Sequence, residues 1–265
     1  MYPNFLSKYN VIGSGYNVTR SADAYITGRF YASLRSPREG KSLDIGCGTG
    51  NYTIALQSKG VDIVGIDPST NMLAVASCQH NSIDWRLGAA EAIPALDGEF
   101  GNVIAMLTIH HWSDRLKAFR EISRVLKPGG RIVIFTSCPN QMQHYWLNHY
   151  FPEMMAASMR QMPMIESVIR ELACAGFRLI GIDSYDVRND LTDLFLYAGK
   201  HRPTLYLDPD FRRGISSFSS LVSPTELATG LTRLKKDLAT GDLLRIFEKY
   251  RSTTGDYAFI VVQKP

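Results

Sequence analysis

The sequence predicts an α/β protein: a doubly wound, mostly parallel sheet with an antiparallel last strand, and a helical cap built from insertions. Three observations point there. From residue 41 onward, short apolar stretches alternate with amphipathic ones at the spacing of strand–helix units, which implies a sheet covered on both faces. The first apolar stretch runs into a glycine-rich turn, Gly46-Cys47-Gly48-Thr49-Gly50. Two stretches, 138–163 and 188–250, then interrupt the rhythm late in the chain.

Residues 42–45 form the first strand, and residues 51–59 a helix that Gly60 closes. Residues 61–66 are a second strand, 69–79 a second helix and 83–87 a weaker third strand. The fourth strand, 102–108, is apolar throughout most of its length. In the helix after it, Ser113 is the expected N-cap, and Leu116, Phe119, Ile122 and Leu126 share a face. Pro128-Gly129-Gly130 breaks that helix, and residues 131–136, rich in Ile and Val, make the fifth strand. Beyond the first insertion, helix 164–175 turns Ile165, Val168, Ile169 and Leu172 inward and stops at Gly176, before strand 177–183. The second insertion holds a clear helix start at Ser223-Pro224-Thr225-Glu226: N-cap serine, proline at the first helical position and capping-box glutamate. Residues 257–262 are the last strand.

The bulk properties suit one domain spanning 1–265, a core with a modest cap. With 45% apolar and 20% charged residues this is the mix of an ordinary globular enzyme. The net charge is +4, but Lys and Arg are scattered. The tightest groups, 200–202 and 233–236, read as solvated helix faces rather than the dense, aromatic-interleaved stripe of a nucleic-acid footprint. The N-terminus has no secretory pattern, and no apolar run has the length of a membrane span. Cys47, Cys78, Cys138 and Cys174 are far apart and form no CxxC pair, so buried, reduced thiols in a cytoplasmic protein are expected, without zinc or disulfides.

The stretch carrying the functional argument is Leu43-Asp44-Ile45-Gly46-Cys47-Gly48-Thr49-Gly50. Glycines after a buried strand let the backbone turn tightly, approach a ligand and open a helix N-terminus onto it. A dinucleotide fingerprint would have Gly or Ala at the position of Asn51. The Asp44 carboxylate, just before the first glycine, suits a ligand ammonium, a charge-assisted contact worth about 1.5–3 kcal/mol. Asp67, at the end of the second strand, is placed either to bind a ribose in the crevice or to cap the following helix.

Taken in order and spacing, DIGCGTGNYT, GIDPSTNML, GAAEAIP, TIHHW and VLKPGGR resemble the class I S-adenosylmethionine (SAM)-dependent methyltransferases. More narrowly, they look like the small-molecule branch called methyltransferase type 11, which includes the ubiquinone-biosynthesis C-methyltransferases. The resemblance covers about residues 40–136 motif by motif. It implies SAM as the cofactor, with Asp44 and the loop Gly46, Cys47, Gly48 and Gly50 at its amino-acid end. It also implies Asp67 and Pro68 at the ribose, Met72 packed near the adenine, and Ala89, Ala90 and Glu91 along the adenine edge. Relatives usually have Asp at Ala89, where it accepts a bond from the adenine amino group, and Asp at Gly101. Losing the first contact implies weaker SAM binding than in a typical relative.

Methyl transfer from a sulfonium is an in-line displacement, so the protein mainly aligns the reactants and deprotonates the acceptor where needed. His110 and His111, directly after the fourth strand, are the candidate bases, one expected to face the pocket and its neighbour the structure behind it. Their structural alternative is a hydrogen-bonding or pocket-shaping role. The Asn/Asp-Pro-Pro-Tyr/Phe motif of adenine- and glutamine-type N-methyltransferases is absent there. His144 and His149 are five apart and do not form an i,i+4 metal pair, and no metal site is expected.

The insertions lie on the acceptor side, and Tyr145, Trp146, His149 and Tyr150 are expected to wall the acceptor site. Residues 1–21, with Tyr16 toward the acceptor and Arg20 toward the cofactor, are expected to fold over both as a lid. The competing reading is that these segments pack on the sheet or form a subunit interface in a homo-oligomer. The expected activity is C- or O-methylation of a small-molecule acceptor. An RNA methyltransferase would show a nucleic-acid-binding appendage and salt-sensitive RNA binding. A SAM-binding regulatory protein without catalysis would show no turnover with any acceptor.

Overall fold

The computed structural model describes residues 20–38 and 40–265. Tyr16 and the rest of 1–19 lie outside the described residues. The chain forms helix α1 (Ala24–Ser33), then β1 (Ser42–Ile45), α2 (Asn51–Gln57), β2 (Ile63–Asp67), α3 (Thr70–Gln79), β3 (Trp85–Leu87) and β4 (Phe100–Met106). After one 3₁₀ turn, Ile109–His111, come α4 (Arg115–Val125) and β5 (Leu126–Thr136). The first insertion folds as α5 (Pro139–Met142), α6 (Leu147–Tyr150) and α7 (Pro152–Gln161), followed by α8 (Ile165–Cys174) and β6 (Arg178–Tyr185). The second contains a 3₁₀ turn, Pro203–Leu207, then α9 (Pro209–Arg213), α10 (Ser216–Ser220), α11 (Pro224–Thr240) and α12 (Leu243–Lys249), and β7 (Tyr257–Gln263) ends the sheet.

The strand order is β3-β2-β1-β4-β5-β7-β6. Strands β1 to β5 pair in parallel, while β7 runs antiparallel to both β5 and β6. The chain leaves β1 toward β2 on one side and returns to β4 on the other, so the loops after β1 and β4 part above the sheet. That reversal opens a crevice at the carboxyl ends of the strands.

The pleat divides the core. Ile132 and Ile134 of β5 face one cluster, with Phe119, Ile122, Val168 and Leu172 from α4 and α8. Val133 and Phe135 face the other, which includes Ile26 and Phe30 of α1 and the buried residues of both insertions. Alternate residues of one strand therefore serve two cores, as a sheet covered on both faces requires. The cap is continuous with the second core.

Several local expectations are corrected. The cap of α4 is Asp114, whose carboxylate accepts from the Lys117 N–H at 2.9 Å, not Ser113. Pro128-Gly129-Gly130 lies inside β5 rather than ahead of it, because the chain resumes pairing at Leu126, opposite Phe100, and shifts register across the glycines. Of the cysteines expected inside, Cys138 is buried and Cys47 partly so, whereas Cys78 and Cys174 are exposed on helices. Among the described residues no helix is long and apolar enough to cross a membrane.

Candidate active site

The loop after β1 forms one wall of a pocket at the crevice. Its lining includes Asp44, Gly46, Cys47, Gly48, Thr49 and Asn51, with Arg20, Tyr52, Met106 and Asp193 opposite, around roughly 400 Å³ of empty space including the part open to solvent. Gly46 is required by its neighbour: at φ +71° a Cβ there would sit 2.2 Å from Thr108 Oγ1. Gly48, at φ +55°, has nothing among the described residues within 4 Å of where a Cβ would be.

Asp44 is 2% exposed, and the Thr53 hydroxyl donates to its Oδ2 at 2.7 Å. Oδ1 is buried and has no hydrogen-bond partner among the described residues. Burial, with a smaller contribution from nearby Asp67, pushes the carboxyl up to about 7 against the Thr53 bond. A buried carboxylate with an unmatched oxygen calls for a cation. This donor set fits a ligand that brings an ammonium to Asp44 across a glycine floor.

Asp67 ties the crevice together. Its Oδ2 accepts from the Gly48 N–H at 2.9 Å and its Oδ1 from the Ser69 N–H at 2.8 Å. The cap of α3 is Ser69, whose hydroxyl accepts from the Met72 N–H at 3.3 Å, so Asp67 is not that helix's cap. Burial raises the Asp67 carboxyl above its ordinary range, and the two backbone N–H bonds oppose this.

Gly50, Asp67, Pro68, Met72, Ala89, Ala90 and Glu91 lie outside the lining of this pocket. Met72 and Ala90 are buried, and Pro68 is exposed. The Glu91 side chain has a task of its own: Oε1 accepts from the Ser113 N–H (2.6 Å), the Ser113 hydroxyl (2.8 Å) and the Asp114 N–H (3.2 Å). Amides at the start of α4 need such a partner, so the carboxylate points there rather than along a ligand.

A second pocket opens at the ends of β4 and β5, beneath the cap. Its empty volume, about 870 Å³ including its open mouth, is within the range of small-molecule sites. His110, His111 and Leu107 come from the loop after β4, Tyr145 and Met142 from the first insertion, and Phe195 and Arg213 from the second. Leu107 is held at φ +48°, a strained conformation for a leucine, and carries the chain off the sheet toward the histidine turn. Arg20 lines both pockets.

The two histidines do not diverge as expected. On a single 3₁₀ turn both imidazoles reach the second pocket, with ring centroids 3.9 Å apart and tilted by 45°. Of the aromatic residues expected to wall the acceptor site, Tyr145 lines it and Trp146, His149 and Tyr150 do not. Trp146 packs edge-on against Tyr206 and donates its indole N–H to the Lys200 carbonyl at 3.1 Å. Tyr150 donates to Asp237 at 2.9 Å. His149 meets Arg233 at 2.8 Å, and burial followed by that guanidinium lowers its pKa. These three side chains face α11, α12 and the 3₁₀ turn before α9, and they build the interior of the cap.

Sequence reasoning missed Asp193 and Tyr52. Asp193, 1% exposed, accepts from Arg20 Nε at 2.5 Å and from the Tyr52 hydroxyl at 3.1 Å. An acid alone in the apolar run Leu191-Thr192-Asp193-Leu194-Phe195 was the available signal, since such a residue is buried only with a partner.

Comparison with known proteins agrees with this geometry. A family model described as a methyltransferase domain matches residues 43–134. An Anabaena variabilis structure, assigned as a methyltransferase from an antibiotic biosynthesis pathway, superposes with a TM-score of 0.82 at 32% identity, covering 92% of this chain and 98% of that one. A demethylmenaquinone methyltransferase of Bacillus velezensis is 31% identical over 156 residues, 52% of this chain and 67% of that protein. An uncharacterized methyltransferase of Mycobacterium tuberculosis is 40% identical over 90 residues, which is 34% of this chain and spans only 37% of the relative's length.

Proposed function

Because the chain belongs to the SAM-dependent methyltransferases, we propose that it transfers a methyl group from SAM to a small molecule held in the histidine-lined pocket, at carbon or oxygen. The observation that carries this reading is a pair of chemically different pockets that share Arg20 in their linings. One has a glycine floor and a buried acid with an unmatched oxygen; the other is a chamber of apolar and neutral polar side chains with two histidines and no carboxylate among the described residues. When bound, SAM supplies a methyl group already activated on a sulfonium.

In this reading the Asp44 carboxylate takes the ammonium of the amino-acid end, Gly46, Cys47 and Gly48 form the floor beneath it, and Gly50 closes the turn behind them. Asp67 receives the ribose hydroxyls with lone pairs left over from its two backbone bonds. Met72, Ala89 and Ala90 form the adenine side. His110 or His111 removes the acceptor's proton, and the cap excludes water from the chamber. Arg20, in the lining of both cavities, supports giving the segment that contains it, 1–21, a covering role.

The test is SAM turnover by the full chain with a panel of small phenols, enols and acids, beside structured and unstructured RNA. S-adenosylhomocysteine formation that depends on a small acceptor supports the reading. Turnover with RNA alone, or SAM binding without turnover on any acceptor, overturns it.

A further inference from the structure

The charges around the two cavities are divided. Two carboxylates, Asp44 and Asp193, line the cofactor-side pocket, whereas no Asp or Glu lines the acceptor chamber among the described residues. The first 19 residues of the sequence contain Lys8 and no acid. Among the described residues, the ionisable groups lining the chamber, tyrosines aside, are His110 and His111 at the sheet end, Arg20, which lines both pockets, and Arg213 on the cap. Arg20 is already matched by Asp193. Of the chamber's two tyrosines, Tyr145 donates its hydroxyl to the Asp256 carbonyl, so it does not answer a charge on a ligand, and the Tyr257 hydroxyl accepts from the Tyr197 N–H.

Arg213 differs from Arg20. Its ion pair with Asp210, 2.8 Å, is exposed on both sides, with side chains 74% and 62% accessible. Pairs of that kind hold a guanidinium only weakly. The Arg213 fork can therefore turn onto a ligand at the chamber's mouth, and a single guanidinium matches a single carboxylate in two parallel hydrogen bonds. Between the ends lie apolar and aromatic side chains, Met142, Phe195 and Tyr257 among them, interspersed with the neutral polar residues Ser137, Ser158, Gln161, Ser216 and Ser217. Apolar walls strengthen the field of the guanidinium at the mouth.

Resting on the methyltransferase reading above, we propose that the acceptor is a carboxylic acid with an apolar or aromatic body, oriented by Arg213 with its carboxylate at the mouth and its methyl-accepting atom at His110 and His111. The chamber then repels an amine and gains nothing specific from a neutral ester. Arg213 sets which acceptors enter and in which direction.

The test uses matched series with one body each: para-hydroxybenzoate, para-coumarate and a hydroxynaphthoate, each beside its methyl ester and the corresponding amine. Binding to the full chain saturated with S-adenosylhomocysteine is measured by calorimetry, and turnover by S-adenosylhomocysteine release. At least one acid should bind roughly tenfold or more tightly than its ester and its amine. Arg213→Glu should abolish that preference, Arg213→Lys should keep part of it, and the KM for SAM should stay near the wild-type value in both. Because Arg213 is exposed, neither change threatens folding. Esters or amines bound as well as the acids, no binding anywhere in the series, or an acid preference that survives Arg213→Glu overturns the proposal. Esters methylated in preference to acids would leave the methyltransferase reading intact and remove this one. Acids bound through Arg213 but never methylated would do the reverse.

Discussion

Arg20 and Asp193, 173 positions apart, face each other across the cofactor crevice with Nε 2.5 Å from Oδ1 and a second nitrogen 3.1 Å from Oδ2. The pair joins the segment before α1 to the second insertion, and Tyr52 of α2 donates to the same carboxylate. Asp23 repeats the link next door, accepting from the Thr192 N–H at 3.2 Å while its other oxygen caps α1. Cofactor pocket and cap are thus one mechanical unit.

Asp193→Ala should therefore act on both stability and cofactor binding. Removing one partner leaves a largely buried guanidinium and a buried tyrosine hydroxyl without their acceptor. Arg20 keeps some access to solvent, so the loss should be on the order of 2 kcal/mol rather than the full cost of a sealed pair. The KM for SAM should rise as well, since Arg20 loses its alignment. Tyr52→Phe removes one bond to the same carboxylate and should cost about 1 kcal/mol. Thermal denaturation and calorimetric titration with S-adenosylhomocysteine check both variants. Wild-type affinity in Asp193→Ala would separate the ion pair from the cofactor site.

Asp44 predicts a pH profile. Its carboxyl titrates near 7 without a cation, because burial disfavours the charged form. An ammonium beside Oδ1 favours the charged form, so the ligand-bound pKa lies lower. Above about 7 the carboxylate is ready and affinity for SAM is flat. As pH falls below that value the ligand must displace a proton, and affinity drops by about tenfold per unit until the bound form itself protonates. Dissociation constants measured from pH 8 down to 5 should show this slope, and Asp44→Asn should be weak and flat throughout. An unchanged slope in Asp44→Asn would place the titration elsewhere.

The fold was legible because burial on both sheet faces forces apolar strands and amphipathic helices into alternation, and Ile132 to Phe135 carry that pattern openly. The glycine loop was legible because Gly46 and Gly48 adopt backbone angles that side chains disfavour. Asp193 was not, because nothing local tells an acid in a loop that its partner lies in another segment of the chain. Nor was the division of labour in the first insertion. Tyr145 and Trp146 are adjacent and equally aromatic, and only the packing of α11, α12 and the 3₁₀ turn decides which one meets the chamber.

The histidines make a separable prediction. Both residues line the proposed acceptor chamber and neither lines the glycine-loop pocket proposed for the cofactor. Substituting the base by alanine should lower turnover by ~10²–10⁴ with the affinity for SAM retained. The other histidine should change acceptor KM more than kcat, as a wall residue does. Single-turnover rates of His110→Ala and His111→Ala, each across pH, identify the base as the variant that loses the acidic limb of the profile. Equal and small effects from both would reduce the pair to shaping the chamber.

Trp146 and Tyr145 offer the contrast that tests how the cap is built. Trp146 is 2% exposed, stacks its edges against Tyr206, Tyr150 and Phe247, and spends its N–H on the Lys200 carbonyl. Trp146→Ala should cost about 3–5 kcal/mol of stability. Where the variant still folds, acceptor KM should change little, because the side chain does not line the chamber. Tyr145 touches the chamber and also holds it in shape, meeting the Asp256 carbonyl at 2.5 Å and the Ser137 hydroxyl at 2.9 Å. Tyr145→Phe keeps the ring, stacked 3.9 Å from Tyr197, and removes only the hydroxyl. Its stability loss should be about 1 kcal/mol, set by the Asp256 carbonyl and Ser137 keeping each other as partners. Acceptor KM should rise more than in any folded Trp146 variant. Chemical denaturation and steady-state kinetics on the two proteins read these effects independently, and a Trp146→Ala enzyme of normal stability but poor acceptor binding would move Trp146 from the interior of the cap to its lining.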